Sequence, residues 1–329
     1  MILAGDIGGT KTNLALYEVN NDTLELVYFF KFVSGDYTRF TDIIDEFKEK
    51  VQDVQIDAAC FGIAGPVVDG ECIATNLPWE RVVSDELKEK LNTSKVVLLN
   101  DLASTAYGML YLSEDELVHL NPKAIKTKNT SCVIAAGTGL GEGILYFDGN
   151  SYHPMATEGG HTDFAPQDEL EDELLKWLRK RYKDHVSYER VLCGEGIYTL
   201  YEFLKEYENL DEPQKMLELK QGDKSAMISE CALKDKEPLC IKTLELFSKL
   251  YGSEAGNLAL KSLSIGGIFI GGGIAPKILP FLQNDIFMEA FLAKGRFENL
   301  LEKMEVKVSL NQETALLGAV NYARDKLIS

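Results

Sequence analysis

No run of eighteen apolar residues occurs in the sequence, so no helix long enough to cross a membrane is predicted. Positive charge is also scarce, because 52 acidic residues outnumber 34 lysines and arginines and leave a formal net charge of -18. Such a surface repels nucleic acids and anionic membranes, so neither is expected as a partner. An anionic substrate would need a local pocket rich in hydrogen-bond donors.

Cysteines are few and scattered, and none forms a C-x-C or C-x-x-C pair: Cys60, Cys72, Cys132, Cys193, Cys231 and Cys240. This pattern is typical of reduced, mostly buried thiols in a cytoplasmic protein. No secretory signal is expected, because Met1 leads directly into an apolar run. With 329 residues, 45% hydrophobic and 26% charged, the chain is expected to be globular. Its length favours about two domains.

Three common phosphate-binding signatures are missing. The sequence has no Gly-Lys dipeptide and therefore no Walker A loop. It has neither His-Arg-Asp nor Asp-Phe-Gly, which excludes the protein-kinase machinery. The stretch that begins at Gly137 fails the G-x-G-x-x-G pattern because Glu142 stands at the sixth position, which disfavours a dinucleotide-binding fold.

The sequence does contain glycine-rich stretches between short apolar runs. Met1 to Ala4 and Leu14 to Tyr17 are too short for helices and are interpreted as the strands of a hairpin. The stretch between them begins Gly5, Asp6, Ile7, Gly8, Gly9, Thr10. Glycines let backbone N–H groups approach a phosphate, Asp6 would hold a hydrated magnesium ion, and the hydroxyls of Thr10 and Thr12 would reach phosphate oxygens. Taken alone, an ordinary tight turn explains the stretch as well.

Two further strand-to-glycine transitions follow. Ser131 to Ala136 is predicted as a strand, residues 137–143 as a bend that includes Gly137, Thr138 and Gly139, and Ile144 to Phe147 as the returning strand. This second hairpin and the first one would together offer two sets of backbone N–H groups for one polyphosphate. Their similarity hints at a duplicated unit. Later, a strand ends in Gly271, Gly272 and Gly273 before a helix from about Ala275. A simple strand-to-helix turn is the alternative there.

The order of predicted elements divides the chain into two parts. Residues 1–111 alternate strands and helices as in an α/β domain with a mixed sheet, whereas the rest is more helical. The terminal strand and helix are expected to return to the first part. The predicted domains are a small α/β domain of residues 1–111 plus 311–329 and a large α+β domain of residues 112–310. The acids that begin a helix near Asp168, including Glu171, are interpreted as a solvated face.

Three polar stretches are candidates for binding a second substrate. Asn100 and Asp101 stand where a buried strand gives way to a helix, and Glu158 and His161 share a glycine loop that would offer an acceptor and a donor to neighbouring hydroxyls. Glu189 is placed on a short helix. Plainer explanations exist: Asp101 as a helix N-cap, His161 as a structural histidine and Glu189 as a solvent-facing side chain.

These motifs resemble the sugar kinase, actin and heat-shock ATPase superfamily. Residues 5–10 resemble its first phosphate motif, residues 137–141 its second and residues 270–274 its adenosine motif. All three match in order and spacing, which is far more specific than any one alone. The segments at residues 99–101, 158–166, 189–192 and 294–297 further resemble the bacterial glucokinases that lack a zinc motif. The resemblance extends from Gly5 to about Gly318.

The resemblance implies a two-domain, ribonuclease-H-like (actin-like ATPase) fold of the α/β class, with mixed β-sheets flanked by helices and an interdomain cleft. It implies phosphorylation of D-glucose at the 6-hydroxyl by ATP with Mg²⁺, with Asp101 as the general base. The implied sugar-binding residues are Asn100, Asp101, Glu158, His161 and Glu189. The implied nucleotide-binding residues are Gly5, Asp6, Ile7, Gly8, Gly9, Thr10, Gly137, Thr138, Gly139, Gly271, Gly272 and Gly273. A homodimer is also implied.

Several points stay open. No structural zinc is expected, because the first cysteine after His161 is Cys193 and no C-x-C occurs. Lys11 either contacts phosphate or faces solvent and is not assigned to the site. A kinase of the same fold for another hexose or an amino sugar, or a non-catalytic sugar sensor, remains an alternative, although Asp101 favours catalysis. ADP or polyphosphate in place of ATP is also left open.

Overall fold

The computed structural model of the protein describes residues 1–20, 23–52, 54–73, 79, 81–219 and 221–328. The chain forms two compact units. The first consists of Met1–Ser113, Tyr152–Ala156 and Asn311–Ser329, and the second of Glu114–Ser151 and Thr157–Leu310. None of the helices in the described ranges combines the length and the apolar character that a membrane span requires.

The described strands follow the apolar runs of the sequence. They are β1 (Ile2–Ile7), β2 (Lys11–Asn20), β3 (Thr23–Val33), β4 (Ala58–Ile63), β5 (Val67–Val68), β6 (Glu71–Cys72), β7 (Val82–Val83), β8 (Val96–Asn100), β9 (Leu117–His119), β10 (Ser131–Ala136), β11 (Leu140–Phe147), β12 (Tyr152–Thr157), β13 (Ile268–Gly271) and β14 (Val306–Ser309). Strand β4 is buried along its whole length, as expected of a central parallel strand.

The described helices each bury at least one apolar residue, and the longer ones bury several. They are α1 (Phe40–Val51), α2 (Ser84–Leu91), α3 (Asp101–Gly108), α4 (Glu169–Arg181), α5 (Gly194–Glu208), α6 (Gln214–Glu218), α7 (Lys224–Glu230), α8 (Pro238–Ser262), α9 (Leu279–Leu282), α10 (Asp285–Leu292), α11 (Glu298–Leu301) and α12 (Thr314–Ala323). In α1 the buried side chains include Phe40, Ile43, Ile44, Phe47 and Val51, which form one stripe.

The two large sheets repeat one topology. The five-stranded sheet has the order β3-β2-β1-β4-β8, and the six-stranded sheet has the order β12-β11-β10-β13-β14-β9. In each, an antiparallel hairpin (β1–β2 or β10–β11) is followed by two parallel strands, β4 and β8 or β13 and β14. This repetition confirms the predicted duplication of the glycine hairpin, and the predicted α/β class with mixed sheets and flanking helices is confirmed.

Close helix packing completes each unit. In the first, α12 packs against α3 and against β1 and β4. In the second, α8 packs against α10, and a Cβ atom at Gly252 would lie 2.1 Å from the carbonyl oxygen of Phe287. Only a residue without a side chain fits at this position, so Gly252 permits the close packing of α8 against α10.

Two local predictions were wrong in extent. The second glycine bend spans only residues 137–139, because β11 resumes at Leu140 and pairs it with Ala136. In the first hairpin Asp6 lies in β1 opposite Asn13 rather than at the bend. The physical reason is the same in both places. Each backbone N–H or C=O group that pairs between the two strands gains a hydrogen bond, so the strands extend until only the residues of the tight turn are unpaired.

The interpretation of the acids around Asp168 as a wholly solvated face was also wrong. Glu171 is 1% exposed, and its carboxylate accepts a hydrogen bond from the backbone N–H of Gln167 at 2.8 Å. Lys249 from α8 lies 2.8 Å from the other carboxylate oxygen. Glu171 tolerates burial because a cation and a backbone donor replace its hydration.

Candidate active site

The first phosphate motif is a short bend that Ser34 holds in place. The Ser34 hydroxyl donates to the carbonyl oxygen of Gly8 at 2.7 Å, and the Ser34 N–H donates to the carbonyl oxygen of Thr10 at 3.1 Å. Gly9 and Thr10 are exposed. Thr12, which was expected to reach phosphate, is instead buried with its hydroxyl 3.0 Å from that of Ser34. Sequence reasoning missed Ser34 as a residue of this motif. The one local feature that could have pointed to it is its position directly after β3.

Gly5 and Ile7 lie within β1 rather than in the bend. Both are buried, and a Cβ atom at Gly5 would lie 2.5 Å from Cδ1 of Phe61. The need for glycine at position 5 is therefore explained by packing against β4. Nucleotide contacts of Gly5 and Ile7 stay predictions.

Asp6 and Asn13 form a polar pair between β1 and β2. Asn13 Nδ2 donates to an Asp6 carboxylate oxygen at 3.5 Å, while the buried Asn13 Oδ1 has no hydrogen-bond partner among the described residues. Burial raises the pKa of Asp6, Glu313 raises it further, and Lys11 and Asn13 oppose the shift. A partly buried carboxylate beside an unpaired amide oxygen is a ligand set that suits a hydrated Mg²⁺ ion. The residues present therefore fit the predicted metal.

Asn100 and Asp101 begin α3 at the end of β8. Asn100 is the N-cap, since its Oδ1 accepts hydrogen bonds from the N–H groups of Leu102 at 3.0 Å and Ala103 at 3.2 Å. Asn100 Nδ2 donates to the carbonyl oxygen of Gly65 at 3.0 Å. Because Asn100 is the cap, the plainer explanation of Asp101 as the N-cap was wrong. Asp101 is the first helical residue, where the helix dipole favours a carboxylate.

In the first unit these motifs share one sheet edge. Strands β1 and β8 both run parallel to β4, one on each side of it. Carboxyl ends of parallel strands meet at the same edge, where ligands bind in open α/β sheets. The first phosphate motif and the Asn100–Asp101 pair both follow such ends.

In the second unit Glu189 connects a phosphate motif to a predicted sugar-binding residue. One carboxylate oxygen of Glu189 accepts a hydrogen bond from the N–H of Leu140 at 3.0 Å, directly after the second glycine bend. The other oxygen lies 3.8 Å from Nδ1 of His161. Glu189 is therefore partly buried and makes two polar contacts. The plainer interpretation of Glu189 as a solvent-facing side chain was wrong.

The predicted Glu158–His161 loop is a short 3-10 turn over Gly159–His161. The carbonyl oxygen of Glu158 accepts a hydrogen bond from the N–H of His161 at 3.0 Å. The His161 side chain is 59% exposed, so a ligand could approach its ring. The Tyr188–Arg190 turn packs beside this loop, because the N–H of Tyr188 donates to the carbonyl oxygen of Thr162 at 3.1 Å.

The adenosine motif lies next to the second glycine bend. Gly272 has a φ of +83°, and a Cβ atom there would lie 2.2 Å from the carbonyl oxygen of Ala136. Ala135 pairs with Gly271 in the parallel β10–β13 ladder, so the two glycine motifs leave adjacent strands. Sequence reasoning missed Tyr251 of α8, whose buried hydroxyl donates to Ile134 and accepts from the Ala136 N–H, both at 3.1 Å. No local pattern marks that tyrosine.

The structure therefore brings together Gly137, Thr138, Gly139, Gly271, Gly272, Gly273, Glu158, His161 and Glu189 in the second unit. No three histidine, cysteine, aspartate or glutamate side chains in the described ranges are grouped to hold a metal ion directly. The expected lack of structural zinc stays a prediction.

Comparison with known proteins agrees with this geometry. The family model described as "Glucokinase" matches residues 3–326. Proteins named glucokinase from Trichormus variabilis and from Synechocystis are 40% and 38% identical to this chain, over 97% and 96% of each chain.

Solved structures share the fold. The crystal structure of a glucokinase from an Antarctic psychrotroph superposes with a TM-score of 0.86 at 30% identity, covering 99% of each chain. A glucokinase from Balamuthia mandrillaris in complex with glucose has a TM-score of 0.79 at 23% identity, covering 98% of this chain and 93% of that one, and supports the fold alone. These matches confirm the sequence-based resemblance, and the chain belongs to the glucokinase family.

Proposed function

We propose that this protein transfers the γ-phosphoryl group of ATP to the 6-hydroxyl of D-glucose. The observation that carries the proposal is the position of Glu189. Its carboxylate contacts both the second phosphate motif and His161. Membership of the glucokinase family supports the same reaction. Phosphoryl transfer depends mostly on positioning and on neutralising charge, which is what such an arrangement supplies.

On the donor side, backbone N–H groups of the bends at residues 8–10 and 137–139 bind the phosphate oxygens, and the motif at residues 271–273 contacts the adenosine. Asp6 and Asn13 would hold the hydrated magnesium ion. When bound with ATP, Mg²⁺ neutralises charge on the phosphates. The raised pKa of Asp6 means that its carboxylate takes up a proton more readily than an ordinary aspartate.

On the acceptor side, Asn100, Glu158, His161 and Glu189 bind the sugar hydroxyls, and Asp101 accepts the proton of the 6-hydroxyl. Asn100 also holds the start of α3 in place through its two cap hydrogen bonds. Several fixed polar partners select for a sugar with matching hydroxyls, because a missing hydroxyl leaves a buried polar group unpaired. The proposed sugar-binding residues are acidic or neutral apart from His161, which suits a neutral polyol.

A coupled assay with Mg-ATP and a panel of hexoses and amino sugars tests the proposal. Glucose is expected to have the highest kcat/KM, with glucose 6-phosphate and ADP as the products. ADP and polyphosphate are offered as donors in the same series. Preference for mannose or glucosamine would contradict glucose as the substrate, and sugar binding without any turnover would favour a sensor.

Truncating Glu189 is expected to weaken glucose binding strongly. In Glu189→Ala the Leu140 N–H loses its acceptor and His161 loses its charged neighbour, so KM for glucose should rise about 10- to 100-fold. Glu189→Gln keeps an oxygen for Leu140 and should lose less. KM and kcat are measured for both, with exposed Glu169→Ala as the control. Equal, small effects in both Glu189 variants would contradict the assigned role.

A further inference from the structure

A tyrosine hydroxyl lies between the two strands that lead into the second phosphate motif and the adenosine motif. Tyr251 of α8 is 0% exposed, and its hydroxyl accepts a hydrogen bond from the Ala136 N–H at 3.1 Å. The same hydroxyl donates to the carbonyl oxygen of Ile134 at 3.1 Å, and the carbonyl oxygen of Gly271 lies 3.4 Å from it. One side chain therefore contacts the backbones of both β10 and β13.

These contacts occur at the last pair of the parallel ladder. Ala135 of β10 is paired with Gly271 of β13, and the ladder ends there. Just beyond this pair, the second glycine bend begins at Gly137, and Gly272 of the adenosine motif has a φ of +83°. The hydroxyl therefore holds the two strands together directly before both motifs.

Backbone contacts link the motifs themselves. The Ile274 N–H donates to the carbonyl oxygen of Ala136 at 3.3 Å, and a Cβ atom at Gly272 would lie 2.2 Å from that same oxygen. Because the two motifs are this close, a shift of β10 along β13 would change the spacing between the groups proposed to bind phosphate and adenosine. A nucleotide that contacts both groups at once loses affinity when their spacing no longer fits.

Packing fixes the position of the tyrosine ring. The rings of Phe247 and Phe287 lie edge-on to it, with centroid distances of 5.7 Å and 6.0 Å. Phe247 precedes Tyr251 by one turn of α8, and Phe287 belongs to α10. Burial raises the pKa of Tyr251, so the hydroxyl keeps the proton that it donates. The hydroxyl is therefore held in place by its own surroundings.

We propose that Tyr251 is a positioning residue for the nucleotide: its hydroxyl keeps the ends of β10 and β13 at the spacing that lets residues 137–139 and 271–273 bind one ATP molecule. The proposal rests on the nucleotide-binding part of the proposed function. Tyr251 acts through the backbone of the two strands and does not itself contact ATP or the sugar.

The test is Tyr251→Phe, which removes the hydroxyl and keeps the ring with its packing. The Kd of Mg-ADP is measured by isothermal titration calorimetry without sugar, because ADP has both an adenosine and phosphates for the two motifs. This Kd is expected to rise about 10-fold, since a buried N–H and a buried carbonyl lose a hydrogen-bond partner. KM for ATP should rise in parallel. The Kd of glucose should change little, because the proposed sugar-binding residues lie outside β10 and β13.

Tyr201→Phe is the matched control. Tyr201 of α5 is also 0% exposed, and its hydroxyl donates to Glu212 Oε1 at 3.2 Å, a residue outside all three glycine motifs. Urea unfolding is measured on both variants. The control should lose stability as Tyr251→Phe does but bind Mg-ADP like the wild type. A loss of affinity confined to Tyr251→Phe then reports on positioning rather than on stability.

Equal Mg-ADP affinities of Tyr251→Phe and the wild type would overturn the proposal, and so would an equal loss of affinity for Mg-ADP and for glucose. If the wild type does not bind Mg-ADP, the nucleotide-binding part of the proposed function fails and the role of Tyr251 fails with it. A wild type that binds Mg-ADP but phosphorylates no sugar would contradict the proposed reaction alone. The comparison of Mg-ADP affinities would still decide the role of Tyr251.

Discussion

Asp101→Asn is expected to lower kcat for glucose phosphorylation by about 10²- to 10⁴-fold, the range in which general bases contribute. Asparagine has nearly the same shape, and its amide oxygen can still accept the Leu102 N–H that Asp101 accepts at 2.8 Å. The cap of α3 is supplied by Asn100 and stays in place. In the proposed mechanism, the variant loses the capacity to take a proton from the sugar hydroxyl.

The measurement is steady-state kinetics with both substrates varied, together with an unfolding curve. KM for glucose and ATP should change far less than kcat, because the variant keeps the local structure. Asp115→Asn, at an exposed aspartate of a 3-10 turn, is the matched control and should behave as the wild type. If Asp101→Asn keeps most of its kcat, another group accepts the proton.

Gly318→Ala is expected to cause the largest loss of stability. Gly318 of α12 lies against α3, and a Cβ atom there would lie 1.7 Å from the carbonyl oxygen of Ser104 and 2.8 Å from the backbone N of Gly108. These are backbone atoms that no side-chain rotation can move. Overpacking of this kind costs about 1–3 kcal/mol, and separating two helices costs more.

Because α3 contains Asp101, displacing it should also lower kcat/KM for glucose. Denaturant unfolding and kinetics are measured on Gly318→Ala and on Gly35→Ala, where an added Cβ atom would meet nothing within 4 Å. The control should unfold within a few tenths of a kcal/mol of the wild type, since Gly35 has a conformation that alanine accepts. Equal stability of both variants would contradict the packing described for α3 and α12.

The sequence by itself determined the local elements and the chemistry that they present. Helix α1 and strand β4 follow the spacing of their own apolar residues, because helical and extended periodicities need no information from distant residues. The three glycine motifs were found in order and with the spacing of the superfamily. The segments at residues 99–101, 158–166, 189–192 and 294–297 then narrowed the prediction to the family. The α/β class followed from the alternation of the same short patterns.

Only the tertiary structure decided what each polar side chain does. Ser34 under the first bend and Tyr251 behind the second both depend on partners from distant parts of the chain. The same holds for Glu171. It belongs to an acidic stretch, but its side chain is buried and forms an ion pair with Lys249. Burial and hydrogen-bond partners are set by which elements pack together, and a local pattern of residues contains no record of that packing.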